Sequence, residues 1–491
     1  MPSHLANFIA NEFVEPASRD FMDVVEPATG EAFARVPLSE ADDVDRAVAA
    51  AEQAFPAWSA LPGAERARHL TALADLIDRD RERLAQAESR DTGKPVALAR
   101  RVDIPRSAAN LRYFAGAILH TTGEMHETDQ PAVGGAVRAI NLVRRRPRGV
   151  AGLISPWNLP LYLLTWKIAP AIATGNTCVA KPSEVTPVTA SLLCELAREA
   201  SMPPGVINIV HGDGRFCGSA LVSHPRVPTL SFTGSTGVGR WIGETGGRML
   251  KRVSLELGGK NPFIIFDDAD LDDAVETAVR AAFTNQGQIC LCGSRLLVQR
   301  TVYDRVVSGV VAGARRLAIG DPAADDTTFG AIVSRAHLDK VAGMVDEARR
   351  DGAEILCGGR SPDPASLPAR CRNGCFYEPT VIGGVLPTCR IVREEVFGPV
   401  LTVQAFDDED QALAMANGTD YGLAATVFTR DLARAHRVSS RLDAGIVWVN
   451  CWMVRDLRTP FGGVKASGVG REGGLDALKF FTEPTNVCVR V

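Results

Sequence analysis

The sequence predicts an α/β protein made of two doubly wound domains and a small separate β element. Two observations carry this. From about Arg148 onward, short apolar runs alternate with helical stretches, as expected of a parallel sheet covered on both faces. A second such series begins at Pro262, and 491 residues are more than one core fills, because cores stop growing near ~250–300 residues. At ~150 residues per domain, that length corresponds to about three domain-sized units.

The elements follow in order. Ser39-Glu-Ala-Asp-Asp opens an Ala-rich helical run, and 64–91 continues in Ala, Leu, Arg and Glu. Gly149-Val-Ala-Gly-Leu-Ile-Ser reads as a strand, 161–174 as a helix ended by Gly175, Thr177-Cys-Val-Ala-Lys as a strand and 187–200 as a helix. Val206-Ile-Asn-Ile-Val and Thr229-Leu-Ser-Phe-Thr-Gly are the next strands. Alternating strands and helices of this kind form a nucleotide-binding type of sheet. The second series runs through Pro262-Phe-Ile-Ile-Phe, a helix at 271–284, Arg295-Leu-Leu-Val-Gln, a helix at 302–317, and strands at 401–406 and 446–450. Residues 358–374 are rich in Pro, Ser and Gly and read as a surface insertion. The stretch 124–147 and the β-prone tail Val487-Cys-Val-Arg-Val fit neither series. An unpaired terminal strand is an aggregation liability, and pairing with another subunit would remove it. No period of 20–50 residues repeats.

Composition excludes several classes. Hydrophobic residues make up 46% and charged residues 23%, as in ordinary globular proteins. A net charge of -4 gives no basis for nucleic-acid binding. No basic start followed by an apolar run marks a signal peptide. The most apolar stretch, 150–175, is broken by Pro156, Pro160, Lys167 and Pro170, so it reads as protein interior, not as a membrane span. Eleven cysteines without dense spacing suit reduced thiols in a cytoplasmic protein. The eight histidines do not cluster near the close pairs Cys290/Cys292 and Cys371/Cys375, so no metal is expected.

Five segments are candidates for chemistry. Phe232-Thr-Gly-Ser-Thr-Gly-Val-Gly239 lies between an apolar strand and a helix, where glycine allows close approach and free N–H groups favour phosphate. Lys181-Pro-Ser-Glu184 follows the second strand; a carboxylate there suits two ribose hydroxyls and repels a 2′-phosphate. Glu256-Leu-Gly-Gly-Lys-Asn-Pro places an acid at a strand end, and Asn285-Gln-Gly-Gln-Ile-Cys290 places a cysteine on a loop. Ser155-Pro-Trp-Asn158-Leu-Pro160 pins an Asn between prolines. Each has an ordinary reading too: a lone Cys is usually a small buried hydrophobe, and an Asn in a turn is usually turn chemistry.

Asn158, the 234–239 loop, Glu256 and Cys290, in that order, resemble the aldehyde dehydrogenase superfamily. So do Glu394-Glu-Val-Phe-Gly-Pro399, the run from Pro460-Phe-Gly-Gly to Gly-Val-Gly-Arg471, and the 34 residues from Glu256 to Cys290. The resemblance covers nearly the whole chain. It implies that Cys290 attacks an aldehyde, with the Asn158 amide and the Cys290 N–H holding the oxyanion and Glu256 activating water against a thioester. It also implies NAD as cofactor, bound by Ser155, Trp157, Lys181, Glu184, Gly234, Ser235, Glu395 and Phe397. The implied domains are a Rossmann-like NAD-binding unit of 1–123 and 148–257, a catalytic domain of 258–455, and an oligomerisation element of 124–147 and 477–491. A homodimer or homotetramer follows from that element.

Two departures from simple-aldehyde members bear on substrate. Arg106, in Asp103-Ile-Pro-Arg106-Ser, stands at a position that is apolar in those enzymes, and Arg455, in Cys451-Trp-Met-Val-Arg455-Asp-Leu-Arg458, stands where an aromatic often sits. These stretches resemble the 2-hydroxymuconic and 2-aminomuconic semialdehyde dehydrogenases of aromatic-compound degradation. An acidic substrate is then implied, bound by Arg106 and by Arg455 or Arg458, unless Arg455 or Arg458 forms a structural ion pair with Asp456. Other substrates, such as retinal or a betaine-type aldehyde, and a catalytically silent structural homologue are the alternatives.

Overall fold

Two large sheets hold most strands of the computed structural model, which describes residues 4–491. The eight-stranded sheet has the order Glu12–Val14, Asn7–Ile9, Ile207–Ile209, Thr177–Lys181, Val150–Ile154, Thr229–Thr233, Arg252–Glu256, Gly468–Val469. Its five central strands are parallel and its edge strands antiparallel. Those central strands are apolar and nearly all buried, because helices such as Pro160–Ala173 and Val188–Glu199 pack against the sheet. The chain runs outward from Val150–Ile154 through two strands, then returns to lay Thr229–Thr233 on the other flank of Val150–Ile154. Strand order reverses there, and such a reversal opens a crevice at the carboxyl ends of the two strands.

The seven-stranded sheet has the order Glu354–Cys357, Thr380–Gly383, Val400–Phe406, Arg295–Gln299, Pro262–Ile265, Ala424–Phe428, Ile446–Val449. It is parallel except at its first edge. The chain then crosses back, and Gly468–Val469 pairs with Leu255 and Glu256. This approach needs glycine at 468, where φ is +154° and a Cβ would sit 2.2 Å from the Leu255 carbonyl oxygen.

Two expectations change. The C-terminal strand Thr482–Arg490 pairs within its own chain, residue for residue with 139–147, and the hairpin of Glu124–Ala132 and Gly135–Pro147 completes a three-stranded antiparallel sheet. The hairpin pairs one side of the tail, and Thr482–Arg490 remains an edge strand of this sheet with its other side unpaired. The insertion at 358–374 is largely exposed, yet Leu367 and Cys371 anchor it in a small apolar cluster with Ala28, Ala331 and Phe376. All eleven cysteines are free thiols. Among the described residues, no helix is long and apolar enough to cross a membrane.

Candidate active site

The strand reversal aims two loops at one crevice. After Ile154 come Ser155, Trp157 and Asn158; after Thr233 come Gly234 and Ser235. Ser235 caps the helix Thr236–Arg248, its hydroxyl accepting from the Val238 N–H at 3.5 Å. A Cβ at Gly239 would lie 2.3 Å from Leu257, so the helix packs tightly, whereas a Cβ at Gly237 would meet open space. Gly237 lines a cleft of about 840 Å³ together with Glu184, Asp213, Arg215, Val238 and Trp241. Buried Lys181 donates to the Gly212 carbonyl at 2.7 Å and pairs with Glu184 at 3.0 Å, which fixes the carboxylate at the rim. The first turn of a helix beside a carboxylate-rimmed cleft fits a dinucleotide's phosphates and ribose. The Ser155 hydroxyl is buried without a partner.

Farther in, the Trp157 ring meets Phe397 and His337 edge-on, with centroids 5.2 and 5.0 Å apart. His337 donates from Nε2 to the Phe397 carbonyl at 2.7 Å, and burial lowers its pKa to about 4. Glu395 accepts the Gly259 N–H at 2.9 Å, and burial pushes its carboxyl up to about 7. The Glu256–Pro262 and Glu394–Pro399 segments are thereby joined.

Cys290 is delivered by a tight turn. Asn285, Gln286 and Gly287 all have positive φ (52°, 55° and 69°), and a Cβ at Gly287 would sit 2.2 Å from the Gly398 carbonyl oxygen. Each such non-glycine residue costs roughly 1–3 kcal/mol unless its surroundings hold it. Here Asn261 donates from Nδ2 to the Cys290 and Cys292 carbonyls at 2.7 and 2.9 Å. Asn158 donates from Nδ2 to the Gln288 carbonyl at 2.9 Å, leaving its other N–H uncommitted. Among the described residues, the Cys290 N–H has no acceptor. Burial, and then the charges of Glu395 and Glu256, push the half-buried Cys290 thiol up, so it rests protonated.

Glu256 ends its strand 3% exposed, with neither carboxylate oxygen hydrogen-bonded. It lies against Gly462, where a Cβ would fall 2.6 Å from Oε1. Burial, and then repulsion from Glu472, raise its pKa well above the usual carboxylate range. Glu472 in turn accepts from Lys167 Nζ at 2.7 Å and the Ser231 hydroxyl at 3.0 Å. No hydrogen bond joins Glu256 to Cys290.

The arginines separate into two groups. The Arg106 guanidinium lies 5.2 Å from the Tyr162 ring and 5.5 Å from Trp166, with Nε donating to Asn110 Oδ1 at 3.1 Å. Arg455 donates from Nη1 to the Tyr162 hydroxyl at 3.0 Å and covers Phe461 at 4.1 Å and Trp166 at 5.6 Å. Among the described residues, neither forms an ion pair, and Arg106 Nη2 is buried without a partner. Desolvation, with repulsion from Arg455, lowers the Arg106 pKa. Trp452 ties the Arg455 loop to the nucleophile by donating to the Leu291 carbonyl at 3.0 Å. Arg458 is corrected as a substrate candidate: its side chain is 80% exposed and bonded to Asp456 at 2.6 Å, two residues away on the same loop. Asp456 is thus engaged by Arg458, and Arg455 faces inward.

Residues 13–487 match the family model described as "Aldehyde dehydrogenase family". The chain belongs to this family. It is 51% identical to a 2-aminomuconic semialdehyde dehydrogenase of Danio rerio, over 99% of this chain and 98% of the relative. To a 2-hydroxymuconic semialdehyde dehydrogenase of Pseudomonas sp. (strain CF600) it is 45% identical, over 99% of each. The crystal structure of an indole-3-acetaldehyde dehydrogenase complexed with NAD+ superposes with a TM-score of 0.95 at 38% identity, covering 100% of this chain and 97% of that one. The protein is therefore an oxidoreductase acting on small aldehydes.

Sequence reasoning left several residues of this enzyme's site unnamed. Lys167 carried a signal, since a lysine inside an apolar helix needs a partner, here Glu472. Tyr162 and Trp166 stand i, i+4 on the helix after Asn158, so a shared face was readable. Asn261 sits inside the motif that begins at Glu256, but only the fold aims its amide at Cys290. Arg215, on the cleft wall opposite in charge to Glu184, and Lys94, beneath Asn158, had no local signal.

Proposed function

We propose that this enzyme oxidises an acidic, unsaturated semialdehyde of the 2-substituted muconate type, 2-hydroxymuconate-6-semialdehyde, to the dicarboxylic acid with NAD, in aromatic-compound degradation. The observation that carries the reading is the pair Arg106 and Arg455. Two guanidinium groups without carboxylate partners converge on one aromatic wall, Tyr162 and Trp166, beside the nucleophile's loop. Both arginines are half-buried, cations withdrawn from water without compensation are unfavourable, and a substrate carboxylate would supply the compensation. Arginine forks suit carboxylates because their donors lie in one plane. The 2-amino substrate is a second reading, favoured by the 51% identity to the Danio rerio enzyme against 45% to the Pseudomonas one.

The chain's own residues then divide the work. The arginines hold the remote carboxylate and so orient the aldehyde carbon toward Cys290 Sγ. Loss of the thiol proton gives the thiolate, whose attack forms a thiohemiacetal. The uncommitted N–H of Asn158 and the free Cys290 N–H receive the developing oxyanion. NAD would be held by Lys181, Glu184, Ser155, Gly234, Ser235 and Glu395, with Trp157 and Phe397 nearby, and would supply the hydride acceptor for oxidation of the thiohemiacetal to a thioester. Glu256, deprotonated, takes a proton from the water that hydrolyses the thioester, and the neighbouring Lys167–Glu472 pair acts on it through charge.

The test is NADH formation by the wild-type enzyme with 2-hydroxymuconate semialdehyde, 2-aminomuconate semialdehyde, betaine aldehyde, retinal and hexanal. Higher kcat/KM for the two acidic aldehydes is expected. Equal or higher efficiency with hexanal overturns the proposal.

A further inference from the structure

We infer that Lys94 is a positioning residue for the oxyanion amide: its buried ammonium clamps the Asn158 peptide group from beneath. The inference rests on the reading of Asn158 as an oxyanion donor. Lys94 follows Gly93, whose φ is +78° and where a Cβ would sit 2.9 Å from the Ala331 carbonyl oxygen. Its side chain is 0% exposed, and Nζ donates to the Asn158 carbonyl at 3.0 Å and to Asp103 Oδ2 at 2.5 Å, with Glu88 Oε1 at 3.6 Å. Asn285 Nδ2 gives the same carbonyl a second donor at 3.1 Å. Asn158 is thus gripped at its peptide oxygen by Lys94 and Asn285, while its side chain is moored to Gln288. The far end of the clamp is rigid as well. Asp103 closes the π-turn Ala99–Asp103, directly ahead of the helix Ile104–Ala117, and its own carbonyl accepts the Ser107 hydroxyl at 2.8 Å.

Stability does not account for this arrangement. A buried ion pair contributes little against an apolar replacement of the same shape, and here a second carboxylate, Glu88, is left with both oxygens unbonded. Burial raises the Glu88 pKa, and the Lys94 ammonium opposes that rise. What the ammonium adds is a fixed donor at the Asn158 carbonyl. The position of an oxyanion donor matters steeply, because a shift of about 1 Å costs on the order of 100-fold in rate.

A double-mutant cycle tests the inference. Lys94→Met should lower kcat by about 10- to 100-fold, for acidic and neutral aldehydes alike, while KM and the NAD dissociation constant stay within about threefold. In an Asn158→Ala background, the same substitution should lower kcat less than about twofold, because its effect passes through Asn158. Asp103→Asn, which leaves Lys94 in place with an acceptor, should keep most of the turnover that Lys94→Met loses, and Lys94→Gln runs through the same cycle if Lys94→Met does not fold. Equal losses in both backgrounds, or no loss in the wild-type background, overturn the role of Lys94. If Asn158→Ala alone leaves turnover intact, the oxyanion reading itself falls, and that outcome is separate.

Discussion

Truncating either inward-facing arginine should damage use of acidic aldehydes selectively. The structure sets the size. Arg106 has a buried Nη2 without a partner, and Arg455 spends one donor on Tyr162, so each has donors left for a carboxylate. A charge-assisted hydrogen bond contributes about 1.5–3 kcal/mol, which is roughly 10- to 150-fold in binding. Arg106→Ala and Arg455→Ala should each raise KM for 2-hydroxymuconate semialdehyde by about that factor and lower kcat less, because the carboxylate is remote from the reacting carbon. Arg455→Ala also removes packing over Phe461 and Trp166, so some loss is shared by every substrate. The informative quantity is therefore the ratio of kcat/KM for the acidic aldehyde to that for hexanal, followed by NADH absorbance. If both arginines hold one carboxylate, the double variant should lose less than the product of the single losses. Arg458→Ala should leave the ratio unchanged. A ratio that stays constant in both Arg106→Ala and Arg455→Ala would refute the reasoning and reduce the two groups to packing on the aromatic wall.

Three further outcomes are expected. Cys290→Ala should bind NAD but release no NADH, whereas Glu256→Gln should acylate and then stall, so that mass spectrometry of quenched enzyme detects the thioester; full turnover without an adduct would remove Glu256 from its role. Because the Glu256 pKa is raised, its base form exists only above that value, so thioester hydrolysis should accelerate as pH rises through it; Glu472→Gln, by removing a repelling charge, should move this rise to lower pH in stopped-flow records. Glu184→Gln should improve kcat/KM with NADP by roughly tenfold, because repulsion of a 2′-phosphate is removed while Arg215 stays on the cleft wall; an unchanged NAD-to-NADP ratio would show that Glu184 does not set cofactor choice.

The order of strands and helices and the parallel character of both sheets were legible in the sequence, because each is written locally, whereas the candidate catalytic residues were singled out only by their joint resemblance to a family. An apolar run between helices reports burial on two faces, and a glycine pair or an Asn between prolines reports a turn at a strand end. Direction and partnership were decided by the tertiary structure. Arg455 and Arg458 share a loop and a residue type, but only the fold turns one onto Tyr162 and leaves the other with Asp456. The terminal strand has the same β character whether it pairs within the chain or between chains, and the hairpin 124–147 decided for its own chain. Asn261, Lys94 and the Lys167–Glu472 pair act across 29, 64 and 305 residues of sequence. A local pattern states that a group is polar and must be satisfied; which distant group satisfies it depends on the packing of whole elements.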